Sequence, residues 1–173
     1  MRLSFRFRIG STTVFFMVSS TQRLGGVLSR ADPEKQFHYL FFDMENCSLE
    51  ECERQLRQVQ VRYRLPDIYI VSDHSLSFHG YCFAVVPRKY MLHILTDPAL
   101  ENIDQNFFLW TVVRGEATLR MCLKQDRPPQ QVVSVLPSYP VPIPELERVV
   151  YDTGLVKRGV AVVFDNGRLK IHG

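Results

Sequence analysis

The chain has 173 residues, of which 46% are hydrophobic, 12% aromatic and 23% charged, enough apolar material for one core and too much for a disordered chain. Its longest apolar runs, such as 14–18 and 39–42, fall far short of the roughly 20 residues a membrane span needs. A net charge of +3 is compatible with nucleic acid and does not by itself argue for it.

Residues 2–9 alternate: Leu3, Phe5, Phe7 and Ile9 share one face, and Arg2, Arg6 and Arg8 share the other with Ser4. A period of two predicts a half-buried strand. Gly10 and Ser11 read as its turn and residues 12–20 as the returning strand of a hairpin. Arginines ahead of apolar residues resemble a signal peptide, but Gly10–Thr13 interrupt the apolar stretch and no small-residue cleavage site follows, so an intracellular protein is expected. Residues 21–36 are polar and contain glycine, and read as a loop.

Residues 37–45 predict a strand. Ser48 with Glu51 is a capping-box signature, and Leu49, Cys52, Leu56, Val59 and Tyr63 continue as the stripe of an amphipathic helix that Pro66 ends. Residues 67–71 and 76–86 predict strands, and Pro87 opens a second helix over 88–95. The aromatic and β-branched run 106–113 predicts a strand, Arg114-Gly115 a tight turn and 116–124 the partner strand. Six of the ten prolines fall between Pro128 and Pro144, which predicts an extended strap that is neither helix nor central strand. Asn166-Gly167 signals a type I′ turn in a final hairpin. The cysteines at 47, 52, 82 and 122 form no CxxC pair, so they read as reduced, partly buried thiols rather than zinc ligands.

This order predicts an α+β fold, an antiparallel βαββαβ sheet of the ferredoxin-like or RNA-recognition-motif kind with both helices on one face. Residues 1–126 form the main domain with its N-terminal hairpin, 127–147 the strap, and 148–173 a C-terminal hairpin packed on the same domain. Strand parity sends Leu40, Phe42 and Met44 to the core, and Tyr39, Phe41, Asp43 and Glu45 to the helix-free face. Ser77, His79 and Tyr81 join them there, with Thr118, Arg120 and Lys124. Two carboxylates side by side on one strand face repel unless a cation neutralises them. Hard oxygen ligands suit Mg²⁺ or Mn²⁺. Asp104, just before the next predicted strand, is a third acid in reach of such a site, and Asp97 competes with it for that place.

Three short motifs in this order resemble the catalytic core of the archaeo-eukaryotic primase superfamily, which includes the primase-polymerases. They are Asp43-Met44-Glu45 as the acidic motif, Ser77-Phe78-His79 as the serine-x-histidine motif, and Ile103-Asp104 as a hydrophobic residue followed by Asp. Arginine-bearing positions, Arg114 and Arg120, lie downstream, and the resemblance covers residues 37–124. It implies a small nucleotidyltransferase that adds NTPs or dNTPs on a single-stranded DNA template. Asp43, Glu45 and Asp104 would bind two Mg²⁺ or Mn²⁺ ions. Ser77, His79, Arg114, Arg120 and Lys124 would hold the nucleotide, and Arg2, Arg6, Arg8 and Tyr81 the nucleic acid. A helicase or other replication subunit is an implied partner, and a viral or plasmid-encoded origin fits the small size.

Two other readings share the predicted sheet. The run 79–85, a histidine before Gly-Tyr-Cys-Phe, resembles the longer RNA-recognition motif, with Tyr81, Tyr39 or Phe41 as stacking rings in a non-catalytic module. A rolling-circle replication endonuclease would need a tyrosine nucleophile, for which Tyr90 is available, and a His-x-His pair, which the chain lacks.

Overall fold

The computed structural model describes residues 2–9, 12–19, 23–74, 76–121, 130–152, 161–165 and 168–171. The fold is α+β, with antiparallel sheets and, among the described residues, three helices. Strands β1 (Arg2–Ile9) and β2 (Thr12–Ser19) pair as the predicted hairpin, in a sheet of their own. The turns expected at Gly10-Ser11 and Asn166-Gly167, and Cys122, lie outside the described residues.

The centre is built from β4 (Phe37–Glu45), α1 (Leu49–Tyr63), β5 (Ile68–His74), β6 (Ser77–Pro87) and α2 (Arg88–Leu95). Helix α1 starts where the capping box predicts: the Ser48 hydroxyl accepts the Glu51 N–H at 3.2 Å, a cap worth about 1 kcal/mol. It ends at Arg64, whose left-handed φ of 52° returns its N–H to the last carbonyls. The helix buries Cys52, Leu56 and Val59. Gly80 on β6 permits that approach, because a Cβ there would stand only 3.1–3.2 Å from Phe42 and Leu56. The Tyr63 ring packs edge-on against Tyr90 and His93, so α1 and α2 lie side by side. Asp97 closes the same junction: its carboxylate accepts from Arg62, the Tyr63 hydroxyl and the Ala99 N–H.

The central sheet has the order β4-β6-β5-β8, where β8 is Gln131–Leu136. The first three strands follow the expected arrangement, with β6 between β4 and β5. The fourth does not. Of the expected partner strand over 116–124, the described part forms β7 (Thr118–Arg120), which pairs with β3 (Arg23–Leu28) in a second sheet ordered β11-β10-β9-β3-β7. Its other members are β9 (Arg148–Asp152), β10 (Ala161–Asp165) and β11 (Arg168–Ile171). The C-terminal hairpin is thus tied through β9 to β3. The segment 21–36, expected as a loop, supplies β3, and the strap supplies an edge strand between its prolines.

The run expected as a strand over 106–113 is helix α3 (Gln105–Arg114). Asp104 caps it, accepting from the N–H groups of Asn106 and Phe107, and Gly115 at φ 78° ends it. Thr111 returns its hydroxyl to the Phe107 carbonyl at 2.8 Å, which spares a β-branched side chain any polar conflict inside the helix. Helix α3 starts just after the Asp104 N–H that donates to the Asp43 carbonyl, and near its end the Val112 carbonyl accepts from Arg88. Among the described residues no helix is long and apolar enough to cross a membrane.

Candidate functional site

The site is an edge-to-centre row of side chains at the C-terminal end of β4. Asp43 stands opposite His79 in the β4–β6 register, and Glu45 opposite Ser77. On the other side of β4, Met44 bridges Ile103 antiparallel, and the Asp104 N–H donates to the Asp43 carbonyl at 2.7 Å. Asp43 is therefore the cross-strand neighbour of His79 on one side and is joined through its backbone to Asp104 on the other. All three predicted motifs meet here although they are up to 61 positions apart, from 43 to 104.

The His79 ring is buried, with 6% of its side chain exposed, whereas the Asp43 side chain keeps 20%. Nε2 of His79 lies 3.7 Å from Oδ1 of Asp43. Its Nδ1 lies 3.1 Å from the side-chain nitrogen of Gln130. Glu45 is exposed. The Asp104 carboxylate caps α3 with one backbone N–H on each oxygen, which uses two of its roughly four acceptor positions. Three carboxylates offer the hard oxygens that Mg²⁺ and Mn²⁺ prefer, so the donor chemistry of the row fits such an ion. As arranged, no three His, Cys, Asp or Glu side chains among the described residues converge to hold one.

The end of β4 is held by residues the sequence reading passed over. Gln55 of α1 is fully buried; its amide donates to Oδ1 of Asn102 at 2.7 Å and its carbonyl accepts the Asn102 N–H at 3.1 Å. Asn102 in turn donates to the carbonyls of Glu45 and Asn46, and its own carbonyl accepts the Glu45 N–H. A polar clamp thus fixes the strand end that carries both acids. The available signal was a glutamine inside the apolar stripe of α1. Gln130 had no such signal, because its contact crosses from the strap to β6.

Other predicted residues fall elsewhere. Arg114 sits at the opposite end of α3 from Asp104, about 15 Å away at the rise of an α-helix, with its guanidinium 4.7 Å over the Trp110 ring. Arg120 belongs to β7 of the second sheet, opposite Gly26. Lys124 lies outside the described residues. Arg2, Arg6 and Arg8 stand on β1 opposite Ser19, Phe15 and Thr13. Asp97, the competitor of Asp104, is committed to Arg62 and Tyr63 at the α1–α2 junction.

Two of the aromatic rings on the Asp43 face are not bare. Phe41 is fully buried and Tyr81 is 7% exposed, and the two meet edge to face at 5.1 Å. A ring with no exposed face offers a base nothing to stack on. Tyr90 packs on Tyr63 and His93 at the helix pair, not in the row with His79.

A scan of protein-family models and searches of curated proteins and of solved structures each find no match to this chain.

Proposed function

We propose that the chain is a small nucleotidyltransferase of the primase-polymerase kind, adding NTPs or dNTPs on a single-stranded DNA template. The observation that carries this reading is the meeting of Asp43, Glu45, Ser77, His79 and Asp104 at one strand end. Chance placement of three short motifs does not require them to share one end of one sheet.

Asp43, Glu45 and Asp104 would hold the divalent ions, Mg²⁺ or Mn²⁺. When bound, such ions supply the positive charge that phosphoryl transfer needs at attacking and leaving oxygens. The residues of the chain do the rest. The clamp of Gln55 and Asn102 keeps the acids at a fixed spacing. His79 donates to a phosphate oxygen of the nucleotide, with Ser77 beside it on the same strand. Arg120, Lys124 and the arginines of β1 contribute cationic positions for triphosphate or template backbone. The βαββ half of the sheet is the ferredoxin-like part of the fold, and 102–104 occupies the edge where its last strand would pair. The protein works inside the cell with the replicating nucleic acid, and a helicase or another replication subunit is its expected partner.

The test is primer synthesis or extension on single-stranded DNA with either metal and all eight nucleotides. Wild type is expected to incorporate nucleotide. Asp43→Ala is expected to lose roughly a thousandfold or more, because losing a ligand of a charge-stabilising ion removes several kcal/mol from the transition state. A wild-type protein inert under every condition would refute the reading.

A further inference from the structure

We propose that residues 139–144 of the strap, Tyr-Pro-Val-Pro-Ile-Pro, form a polyproline II ridge that docks into a groove lined by aromatic side chains on a partner protein. None of these residues belongs to the candidate site, so the ridge is independent of the reaction proposed there.

The conformation follows from the alternation. Pro140, Pro142 and Pro144 each fix φ at about −65°. Tyr139, Val141 and Ile143 each precede a proline, whose ring excludes the helical region for the residue before it. Every residue from 139 to 144 is thus confined, by its own ring or by its neighbour's, to extended or polyproline II backbone. The missing N–H groups of the prolines keep the segment out of a β-ladder. It carries neither helix nor strand, and among the described residues 140–146 make no backbone hydrogen bond. A polyproline II helix makes none of its own.

Exposure along the segment has the period of that helix. Val141 and Pro144 are half-buried, and Val141 packs on the core; Tyr139, Pro140, Pro142 and Ile143 are exposed. Three residues make one turn, so 141 and 144 share the edge that rests on the domain. Residues 139 and 142, and 140 and 143, form the two edges turned away from it. Ile143 is 65% exposed and Tyr139 51%. Both ends are tied down. The Tyr139 carbonyl accepts the Asp67 N–H at 3.2 Å, its hydroxyl donates to the Arg64 carbonyl at 3.1 Å, and the Ser138 N–H donates to the Asp67 carboxylate. At the other end Leu146 packs on the core and the Glu147 carbonyl accepts the Leu28 N–H at 2.7 Å.

A groove of tryptophan and tyrosine rings suits such a ridge. The proline rings and the Ile143 side chain are apolar and stack on aromatic faces, while the carbonyls between them accept from indole N–H and phenol O–H groups. The ridge meets the groove with its conformational freedom already given up, because proline chemistry and two anchors hold it before a partner arrives. Exposed Arg64 beside Tyr139 and exposed Glu145 after Pro144 mark its two ends with opposite charge. A groove with the complementary charges at its ends takes the ridge in one direction only.

The test titrates purified SH3 and WW domains, whose grooves are of this kind, into the ¹⁵N-labelled full chain. Wild type is expected to bind, with the signals of Tyr139, Val141 and Ile143 shifting. Pro142→Ala and Ile143→Ser are each expected to weaken binding about tenfold, the loss of one anchor of a small interface. Ile143→Ser keeps the restriction that Pro144 imposes and removes only a contact. Leu109→Ser, which removes an exposed apolar side chain of α3, is expected to leave binding unchanged. All three side chains are exposed, so unfolding midpoints should stay near wild type and the losses are read from folded protein. Lack of binding by every domain up to about 1 mM, or equal losses in Leu109→Ser and Ile143→Ser, would overturn the proposal. So would self-association of the wild type that Ile143→Ser abolishes in sedimentation, which would assign the ridge to a second copy of the chain. Three-bond HN–Hα couplings at Val141 and Ile143 check the backbone itself: values for φ of about −75° are expected, and values for the roughly −120° to −140° of a strand would remove the ridge.

Discussion

The two buried histidines of the central sheet make a natural comparison. His38 on β4 is fully buried and His79 on β6 nearly so. Nδ1 of His38 lies 3.1 Å from the Ser29 hydroxyl and Nε2 lies 3.0 Å from the Lys35 carbonyl. A carbonyl only accepts, so neutral His38 is an Nε2–H tautomer. The Ser29 oxygen accepts the Ala117 N–H at 2.9 Å, which ties the end of β3 and the start of β7 into the same knot. The rings are thus alike in burial. They differ in what stands before Nε2: a backbone carbonyl for His38, a partly exposed carboxylate for His79. Under the proposed function, burial does not separate a structural histidine from a ligand-binding one; the group facing the ring does.

The contrast breaks most sharply under paired substitutions. Asp43→Asn keeps the shape of the row and removes its charge; nucleotide incorporation is expected to fall roughly a thousandfold while thermal stability stays near wild type. His38→Ala is expected to do the reverse. It leaves a cavity and takes one partner from the Ser29 hydroxyl and from the Lys35 carbonyl, about 3 kcal/mol by cavity and hydrogen-bond costs together. Denaturant unfolding measures that loss, and activity per folded molecule should be unchanged. Loss of stability in Asp43→Asn and loss of activity in His38→Ala would interchange the roles assigned to the two regions.

Asn102→Ala sits between these extremes. It removes the side-chain oxygen that accepts from buried Gln55 and the contacts to the Glu45 and Asn46 carbonyls, while the two backbone bonds of Asn102 remain. An unsatisfied buried amide donor costs about 1–3 kcal/mol, and the end of β4 loses part of its anchor. Both stability and activity are expected to drop, activity through a weaker metal dependence. A metal titration unchanged from wild type would limit the clamp to a folding role.

The sequence made some of this contrast readable and hid the rest. Strands β4, β5 and β6 and helices α1 and α2 were legible because period-two alternation, a capping box and flanking prolines agree with the fold at each point. The parity that set Asp43 and His79 on one face also held. Helix α3 was misread because Leu109, Trp110 and Val113 are apolar yet exposed, so its hydrophobicity carries no helical period. Asp104 and Gly115, spaced as cap and terminator, were the better signal. That error cost the fourth strand, since a helix after Asp104 carries the chain away from the central sheet. The strand β3 was hidden by Gly25-Gly26, and the Gln130 contact by its span of 51 positions.

The smallest effect expected is a pH dependence at His38. Burial holds His38 below its ordinary value of 6.5, outweighing the upward pull of the Lys35 carbonyl, Glu116 and Asp32, while Arg88 adds to the lowering. The unfolded chain therefore takes up a proton below about pH 6.5 that the folded chain refuses until a lower pH. Stability from this group is complete above 6.5, falls as pH drops from there to the folded value, and then levels. Asp97 acts in a separate, lower window. Burial pushes its carboxyl up, but the Ala99 N–H, Tyr63 and Arg62 together hold it below 3.8, so its contribution is present above 3.8 and is lost only as pH falls through a still lower value. Urea midpoints measured from about pH 8 to about pH 4.5 cover the His38 window. Wild type should weaken across it, and His38→Gln, which cannot take up a proton, should show a flatter profile. If the two proteins lose stability in parallel, the proton is taken up elsewhere, and His38 is not the group that the fold keeps neutral.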